Sequence, residues 1–277
     1  LLRAMARADL HIHTTASDGE HSPAEVVHLA CQAGLAAIAI TDHDTVDGLP
    51  EAQAAGQDAG IRVVSGVEIS TDHRGAEVHI LGYFIDFHDP ALLEFLVDQR
   101  ESRTERAHAV IDKLCALGFP VEFERVRQLA GGAIGRPHIA AALLEAGHVT
   151  NIDMAMRNLL GRGGAAYVPR RKLTPQEAVD VVRRAQGAPV FAHPGISSRE
   201  WLLPDLIGAG LMGIEAYHPQ HTAAQQQRFA AIARAKGLVA TGGSDFHGRM
   251  WSANVGVGGV SVAVGVLDDL VTRLANA

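Results

Sequence analysis

The chain lacks the features of a disulfide scaffold, a membrane protein or a nucleic-acid coat. Only two cysteines, Cys31 and Cys115, occur in 277 residues, and their spacing fits neither a metal knot nor a disulfide framework. They read as reduced thiols, which fits a cytoplasmic protein. No apolar run is long enough to cross a bilayer and no secretory leader is recognisable, so no membrane partner is expected. Positive charge is scarce as well. The formal net charge is −7, which argues against nonspecific binding of duplex DNA. Internal repeats and low-complexity stretches are absent. What is left, 47% hydrophobic and 20% charged residues, is the balance of an ordinary globular chain, long enough for one barrel or two smaller domains.

The first ninety residues alternate strand and helix patterns. Ala8–Ile12 reads as a strand. Ser22-Pro23-Ala24-Glu25 opens a helix with an N-cap serine, a proline in the first turn and a capping-box glutamate. Leu35–Thr41 is a buried strand, Leu49–Ala59 a helix and Ile61–Ser70 a third strand, with Ala76–Ile85 able to pair with it as a hairpin. Between about 89 and 164 the strand signal vanishes, and the segment reads as an inserted helical cap. Within it Arg100, Arg103 and Arg106 recur at three-residue spacing beside Glu101 and Glu105, the pattern of a solvated helix face. A second capping box, Thr174-Pro175-Gln176-Glu177, restarts the rhythm. Strands are expected at Pro189–Ala192, Met212–Ala216 and Leu238–Thr241, and helices at Trp201–Ala209, Ala223–Lys236 and Val266–Ala275. About seven strands alternating with helices point to a parallel sheet closed, or nearly closed, into a barrel. The expected division is a barrel domain of residues 5–88 and 165–277 with a cap of residues 89–164.

Imidazoles and carboxylates collect where those strands end. The first strand runs into Asp9-Leu10-His11-Ile12-His13, with Asp18-Gly19 five residues on. Thr41-Asp42-His43-Asp44, Gly66-Val67-Glu68, Val78-His79-Ile80-Leu81-Gly82, Ala192-His193-Pro194-Gly195 and Gly243-Ser244-Asp245-Phe246-His247-Gly248 follow in order. Each piece has an ordinary reading alone: a satisfied core histidine, a turn aspartate, a surface pair. Together they place many polar groups at buried strand ends, where an unpartnered one is costly. Strand ends of a barrel meet on one face, where active sites sit, and these are the ligand types that hold divalent transition metals.

This ordered set resembles the PHP (polymerase and histidinol phosphatase) family of metal-dependent phosphoesterases, and is most similar to its stand-alone branch acting on nucleotides and short RNA. The similarity spans the chain, including Gly135-Arg136-Pro137-His138 in the insertion. It implies an α/β fold, a distorted (β/α)7 TIM-like barrel with an inserted helical cap, and two to three divalent ions (manganese, zinc or iron) at its mouth. Carried over position by position, it implies that His11, His13, Glu68 and Asp245 hold one ion and that Asp18, His43 and His247 hold a second. Glu68, His79 and His193 would hold a third, with Glu68 bridging. Some members have histidine where this chain has Asp18, and the aspartate fits the nucleotide-acting branch.

Adjacent ions activate a bound water and clamp phosphate oxygens. A hydroxide bridging them would serve as nucleophile, so the expected catalytic groups are Asp18, His43, Glu68 and His247 rather than a serine or cysteine. Arg136 and His138 in the insertion, and His218 and His221 after the Met212–Ala216 strand, are candidates to bind substrate, arginine because it matches phosphate geometry. The expected substrates are nucleoside 3′,5′-bisphosphates or 5′-phosphorylated short single-stranded RNA. A phosphatase of histidinol phosphate or a sugar phosphate is an alternative. So is an amidohydrolase-type zinc enzyme, but these commonly bridge their metals with lysine, and none stands in any motif here. A non-catalytic module would be expected to have lost ligands, whereas this set is complete. The cap is expected over the mouth, on the premise that the chain leaves the barrel after the His79 strand at the catalytic end.

Overall fold

The computed structural model describes residues 6–169, 173–248 and 255–277; residue 5, where the barrel was expected to begin, lies outside them. Eight strands form one sheet: β1 (Arg7–Ile12), β2 (Ala37–Ile40), β3 (Arg62–His73), β4 (Ala76–Tyr83), β5 (Ala188–Phe191), β6 (Gly213–Tyr217), β7 (Val239–Gly242) and the two-residue β8 (Val262–Ala263). Their order is β7-β6-β5-β4-β3-β2-β1-β8. The segment after β7 returns to β1, where Ile12 bridges Phe246 in parallel and the His13 N–H donates to the Phe246 carbonyl at 2.9 Å. The sheet is thereby a nearly closed barrel. Gly243 allows this closure, because a Cβ there would overlap the backbone of His11.

The helices are α1 (Pro23–Gln32), α2 (Leu49–Ala59), α3 (Pro90–Ala116), α4 (Phe123–Ala130), α5 (Arg136–Glu145), α6 (Ile152–Ala155) with a π-helical turn over Met156–Leu160, α7 (Pro175–Arg184), α8 (Pro194–Ser197), α9 (Leu203–Ala209), α10 (Ala223–Lys236) and α11 (Gly265–Ala275). Both expected capping boxes form: Ser22 with Glu25 opens α1, and Thr174 with Glu177 opens α7. Ala8, Leu10, Ala39, Val64, Leu81 and Val190 fill the barrel interior, together with Leu267 and Leu270 of α11 at the end where the strands begin. Ile38, Ile40, Ile69, Ile80, Phe191 and Ile214 face outward onto the helices. The helices from α3 to the π-helical turn share an apolar cluster of their own, built around Val110, Leu114, Val126, Leu143 and Leu160.

Two expectations need correcting. The barrel is not uniformly parallel: β4 forms the expected hairpin with β3, through a two-residue turn at Arg74-Gly75, and so runs antiparallel to both β3 and β5. Since β4 is reversed, its beginning lies at the mouth. His79 therefore stands near the start of its strand, and the chain leaves the barrel after β4 at the far end, not at the catalytic end. The 27 residues of α3 then carry it back, over about 40 Å at 1.5 Å per residue. The insertion does reach the mouth, by this longer route. The second correction is the arginine spacing on α3. Arg103 is buried and Arg100 and Arg106 are partly so, each with a partner outside α3: Arg100 donates to Thr45 Oγ1, Arg103 to Asp44 and Ser70, and Arg106 to the Val168 carbonyl. Intrahelical glutamates cannot compete with partners that the fold brings from elsewhere in sequence.

Candidate metal centre

The mouth is assembled by pairing that continues past the strand ends. A register irregularity in β1 between Asp9 and Ile12 breaks the simple alternation, so that Leu10 fills the interior while His11 and His13 turn into the cluster. His43 is drawn beside Glu68 because the β2–β3 ladder runs on through Thr41-Asp42-His43-Asp44. The Glu68 N–H donates to the Asp42 carbonyl at 3.1 Å, and the Asp44 N–H to the Glu68 carbonyl at 3.0 Å. The Asp42 carboxylate accepts from the Thr14 N–H and hydroxyl, both at 2.7 Å, and from the Ser17 hydroxyl. It thus fixes the turn that presents Asp18. This explains why TDHD carries two aspartates that touch no ligand group: Asp42 holds the Asp18 loop, and Asp44 holds β3 and α3.

Glu68, 1% exposed, is the hub. Its Oε2 lies 3.3 Å from both His11 Nε2 and His13 Nε2 and 3.0 Å from His43 Nδ1. Its Oε1 lies 2.8 Å from His79 Nδ1 and 3.0 Å from His193 Nε2. Asp245 Oδ1 is 3.3 Å from the same two nitrogens of His11 and His13. Asp18 Oδ1 is 3.4 Å from His247 Nε2, and its Oδ2 is 3.9 Å from His43 Nε2. The donor atoms gather into three sets: His11, His13, Glu68 and Asp245; His13, Asp18, His43 and His247; and His43, Glu68 and His79. The nine expected residues form one connected cluster, which His193 joins through Glu68 and not through any of the three sets. The grouping is more entangled than the family pattern implies, with His13 and His43 each facing two sets.

The donors suit divalent ions. His11 Nε2, His13 Nδ1 and Nε2, His43 Nδ1, His79 Nε2 and His193 Nδ1 are buried with no hydrogen-bond partner, which costs free energy unless a cation takes the lone pair. The ion-pair distances near 3.3 Å are too poorly directed for hydrogen bonds, yet they match the separation of two ligands each about 2.1 Å from one metal. Three buried carboxylates (Asp18, Glu68 and Glu215) and the partly exposed Asp245 concentrate negative charge here. Burial alone would lower the pKa of His11, but Glu215, Asp245 and Glu68 outweigh it and raise it well above the ordinary imidazole range. His13 is likewise pushed up to about 10 against its burial, by Asp245 and Glu68. Burial would raise Glu68, but His43, His79 and His11 hold it well below the usual carboxylate range. Bound cations would play the same part as those protons.

Glu215 is a supporting residue passed over in the sequence. It is fully buried, accepts from His11 Nδ1 at 3.0 Å and from the His193 N–H at 2.8 Å, and so fixes the tautomer that turns His11 Nε2 inward. A carboxylate inside the apolar run Met212–Ala216 was a signal of the same kind as Glu68. Glu215→Gln should weaken metal binding roughly 10- to 100-fold, as loss of a ligand-orienting carboxylate does. Titration of the stripped protein with Mn2+ or Zn2+ checks this, and unaltered affinity would reduce Glu215 to packing. Asp9 does comparable work: it accepts from the Ser244 N–H at 2.9 Å and the Gly258 N–H at 2.8 Å, and burial lifts its pKa to about 6 despite these bonds.

A cavity of about 590 Å³ opens above the cluster. Asp18, His43, His79, Asp245 and His247 line its floor, and Arg103, Arg136, Ile152 and Met156 of the insertion its walls. Arg136 opens α5 and pairs with Glu77 at 2.5 Å. His218 lies in the cavity wall, its Nε2 3.2 Å from Asp245 Oδ2 and its Nδ1 accepting from the Gln220 N–H at 3.1 Å. That arrangement orients Asp245. His138 uses Nδ1 to accept the Gly135 N–H at 3.0 Å and cap α5; it is buried and outside the cavity lining. His221 is a correction. Its Nδ1 faces the Ala216 carbonyl at 3.0 Å and its Nε2 accepts the Gly195 N–H at 3.1 Å. With both nitrogens engaged by backbone, it braces the loops behind His193 and has nothing to offer a substrate.

The PHP domain family profile matches residues 9–160, and the chain belongs to that family. It is 36% identical over 244 residues to a 5′-3′ exoribonuclease of Haemophilus influenzae, covering 86% of this chain and 89% of the relative. It is 37% identical over 246 residues to a phosphoribosyl 1,2-cyclic phosphate 1,2-diphosphodiesterase of Eggerthella lenta, covering 87% and 94%. It is also 37% identical over 250 residues to a 3′,5′-nucleoside bisphosphate phosphatase of Chromobacterium violaceum, covering 88% of each. Among solved structures, an amidohydrolase from Chromobacterium violaceum with bound sulfate and no metal superposes with a TM-score of 0.86, at 34% identity and 97% coverage of both chains. The protein is therefore a hydrolase of phosphoester bonds with a metal-binding site of the PHP type. None of the helices among the described residues is long and apolar enough to cross a membrane.

Proposed function

We propose that the protein hydrolyses phosphate monoesters or diesters of nucleotides, acting on nucleoside 3′,5′-bisphosphates or on the 5′-phosphorylated end of short single-stranded RNA. The observation that carries this reading is one cavity joining the carboxylate–imidazole cluster to two arginines of the insertion. His11, His13, Glu68 and Asp245 would hold one divalent ion, Asp18, His43 and His247 a second, and Glu68 with His79 and His193 a third. Manganese, zinc and iron all suit such donors. Bound there, the ions would supply an activated water and a clamp on phosphate oxygens. The chain's own residues do the rest. Asp18, His43, Glu68 and His247 border the reacting phosphate. His218 keeps Asp245 oriented, and Arg136 neutralises a phosphate while Glu77 restrains its guanidinium.

The relatives support a nucleotide-related ester without deciding which, since an exoribonuclease and a bisphosphate phosphatase match about equally well. Hydrolysis measured across nucleoside bisphosphates, 5′-phosphorylated oligoribonucleotides, a cyclic phosphodiester and sugar phosphates, by phosphate release for the monoesters and by chromatography of the products for the diesters, with metal content determined in parallel, tests the proposal. Preference for a sugar phosphate would overturn it. Arg136→Ala should raise KM for the best substrate roughly tenfold or more while metal content stays at the wild-type level. The pairing with Glu77 and the partial exposure of Arg136 place the effect, about 1.4 kcal/mol for tenfold, below the range of about 2–5 kcal/mol for a buried charged pair. An unaltered KM would leave Arg136 as a clasp between insertion and barrel.

A further inference from the structure

Trp201 is 51% exposed, the most exposed of the large hydrophobic side chains among the described residues. It stands eight residues beyond His193, in a 3-10 turn over Glu200–Leu202 between α8 and α9, where the chain has just left the mouth. It packs against the tip of the β3–β4 hairpin: the His73 ring meets it edge-on at 5.2 Å, and the Arg74 guanidinium lies 5.9 Å from its ring centroid. The hairpin overhangs the mouth. His79 touches Glu68, while the tip begins at the His73–Ala76 pair, roughly 10 Å farther out at about 3.4 Å per residue.

The tip is built rigidly. Arg74 and Gly75 are both left-handed, with φ of 53° and 77°, and Asp72 Oδ1 accepts the Gly75 N–H at 2.7 Å. A two-residue turn of this kind favours asparagine then glycine. An arginine in its first position holds a strained conformation, and its guanidinium faces the tryptophan. A second cation closes in from the insertion, since a Cβ on Gly75 would sit 3.4 Å from Arg162 Nη2. The carboxylate next to Trp201 in sequence, Glu200, is paired with Arg228. The rim of the mouth thus carries an exposed indole edged by guanidinium groups.

We propose that Trp201, with Arg74 and His73, is a stacking platform for a base of single-stranded RNA beyond the nucleotide in the cavity. Aromatic rings beside cations that track the backbone are how single strands are held without regard to sequence. The platform lies outside the cavity lining, so the base that reaches it belongs to a following nucleotide, and the site distinguishes a chain from a mononucleotide. The inference deepens the proposed nucleotide function and rests on it for the substrate class.

Its test is a binding measurement, independent of hydrolysis. Fluorescence anisotropy of a 3′-fluorescein-labelled, 5′-phosphorylated oligoribonucleotide with a phosphorothioate backbone is followed with the metal-loaded protein. Trp201→Ala should weaken binding roughly 10- to 100-fold, the range for loss of one base–aromatic stack. Trp201→Phe should recover most of it, and Arg74→Ala should give a smaller loss. Competition by a mononucleoside 3′,5′-bisphosphate is the reference. An equal loss for that competitor, or wild-type affinity of Trp201→Ala for the oligonucleotide, overturns the platform. Should the protein hydrolyse no nucleotide ester, monoester or diester, yet bind the oligonucleotide through Trp201, the functional proposal fails and the platform stands.

Discussion

Glu68→Gln should abolish phosphoester hydrolysis and leave fewer metal ions per chain, while the barrel stays folded. The two oxygens of Glu68 face five imidazoles, Oε2 toward His11, His13 and His43 and Oε1 toward His79 and His193. A glutamine of the same shape keeps the packing but halves the acceptor capacity and removes the charge that lets cations sit close together. Its amide N–H would also compete with a cation for imidazole lone pairs that have no hydrogen-bond donor. Loss of one preorganised polar group at a reacting centre costs about 10²–10³ in rate, and Glu68 serves several sets at once, so kcat/KM should fall by more than roughly a thousandfold. Metal analysis of both proteins, circular dichroism for the fold and phosphate release on a nucleotide give the three readouts. Wild-type hydrolysis by the mutant would remove Glu68 from the mechanism.

The side chains of the cluster were legible in the sequence because most of them stand in or at the edge of an apolar run, where local pattern alone marks a polar group as unexpected. The helices opened by Ser22 and Thr174 were legible for the same local reason: the capping box is written in four consecutive residues. What escaped depends on partners distant in sequence. The hairpin of β3 and β4 was legible, but the antiparallel pairing of β4 with the distant β5 was not, and with it went the direction in which the chain leaves the barrel. The arginines of α3 sit beside glutamates, so a local reading pairs them within the helix. Their actual partners, Asp44, Ser70 and the Val168 carbonyl, lie dozens of residues away. His221 misled in the opposite sense, since a histidine just past a strand end can brace backbone as readily as face a substrate.

Arg103→Met should destabilise the fold more than any single substitution at the metal centre, although Arg103 touches none of the nine metal-ligand candidates. The guanidinium is 7% exposed and Asp44 is fully buried. Nε reaches Asp44 Oδ2 at 2.6 Å, Nη2 reaches Ser70 Oγ at 2.8 Å, and Nη1 reaches the Ile134 carbonyl at 3.3 Å. One side chain thus ties α3 to the ends of two barrel strands and to the segment leading into α5. Methionine fills much of the volume but leaves the Asp44 carboxylate, which also accepts the Ser70 N–H, buried without the guanidinium. Removing one partner of a buried ion pair costs about 3–5 kcal/mol, most of it the penalty of the stranded charge. Chemical denaturation should show a loss of that order. The double substitution Asp44→Asn with Arg103→Met should regain part of it, because the stranded charge is then gone. Activity should fall as well, since Asp44 adjoins His43 and Arg103 lines the cavity beside Arg136. A loss below about 1 kcal/mol, the range of an exposed pair, would mean that water reaches Asp44 and that the insertion is held to the barrel by its apolar contacts instead.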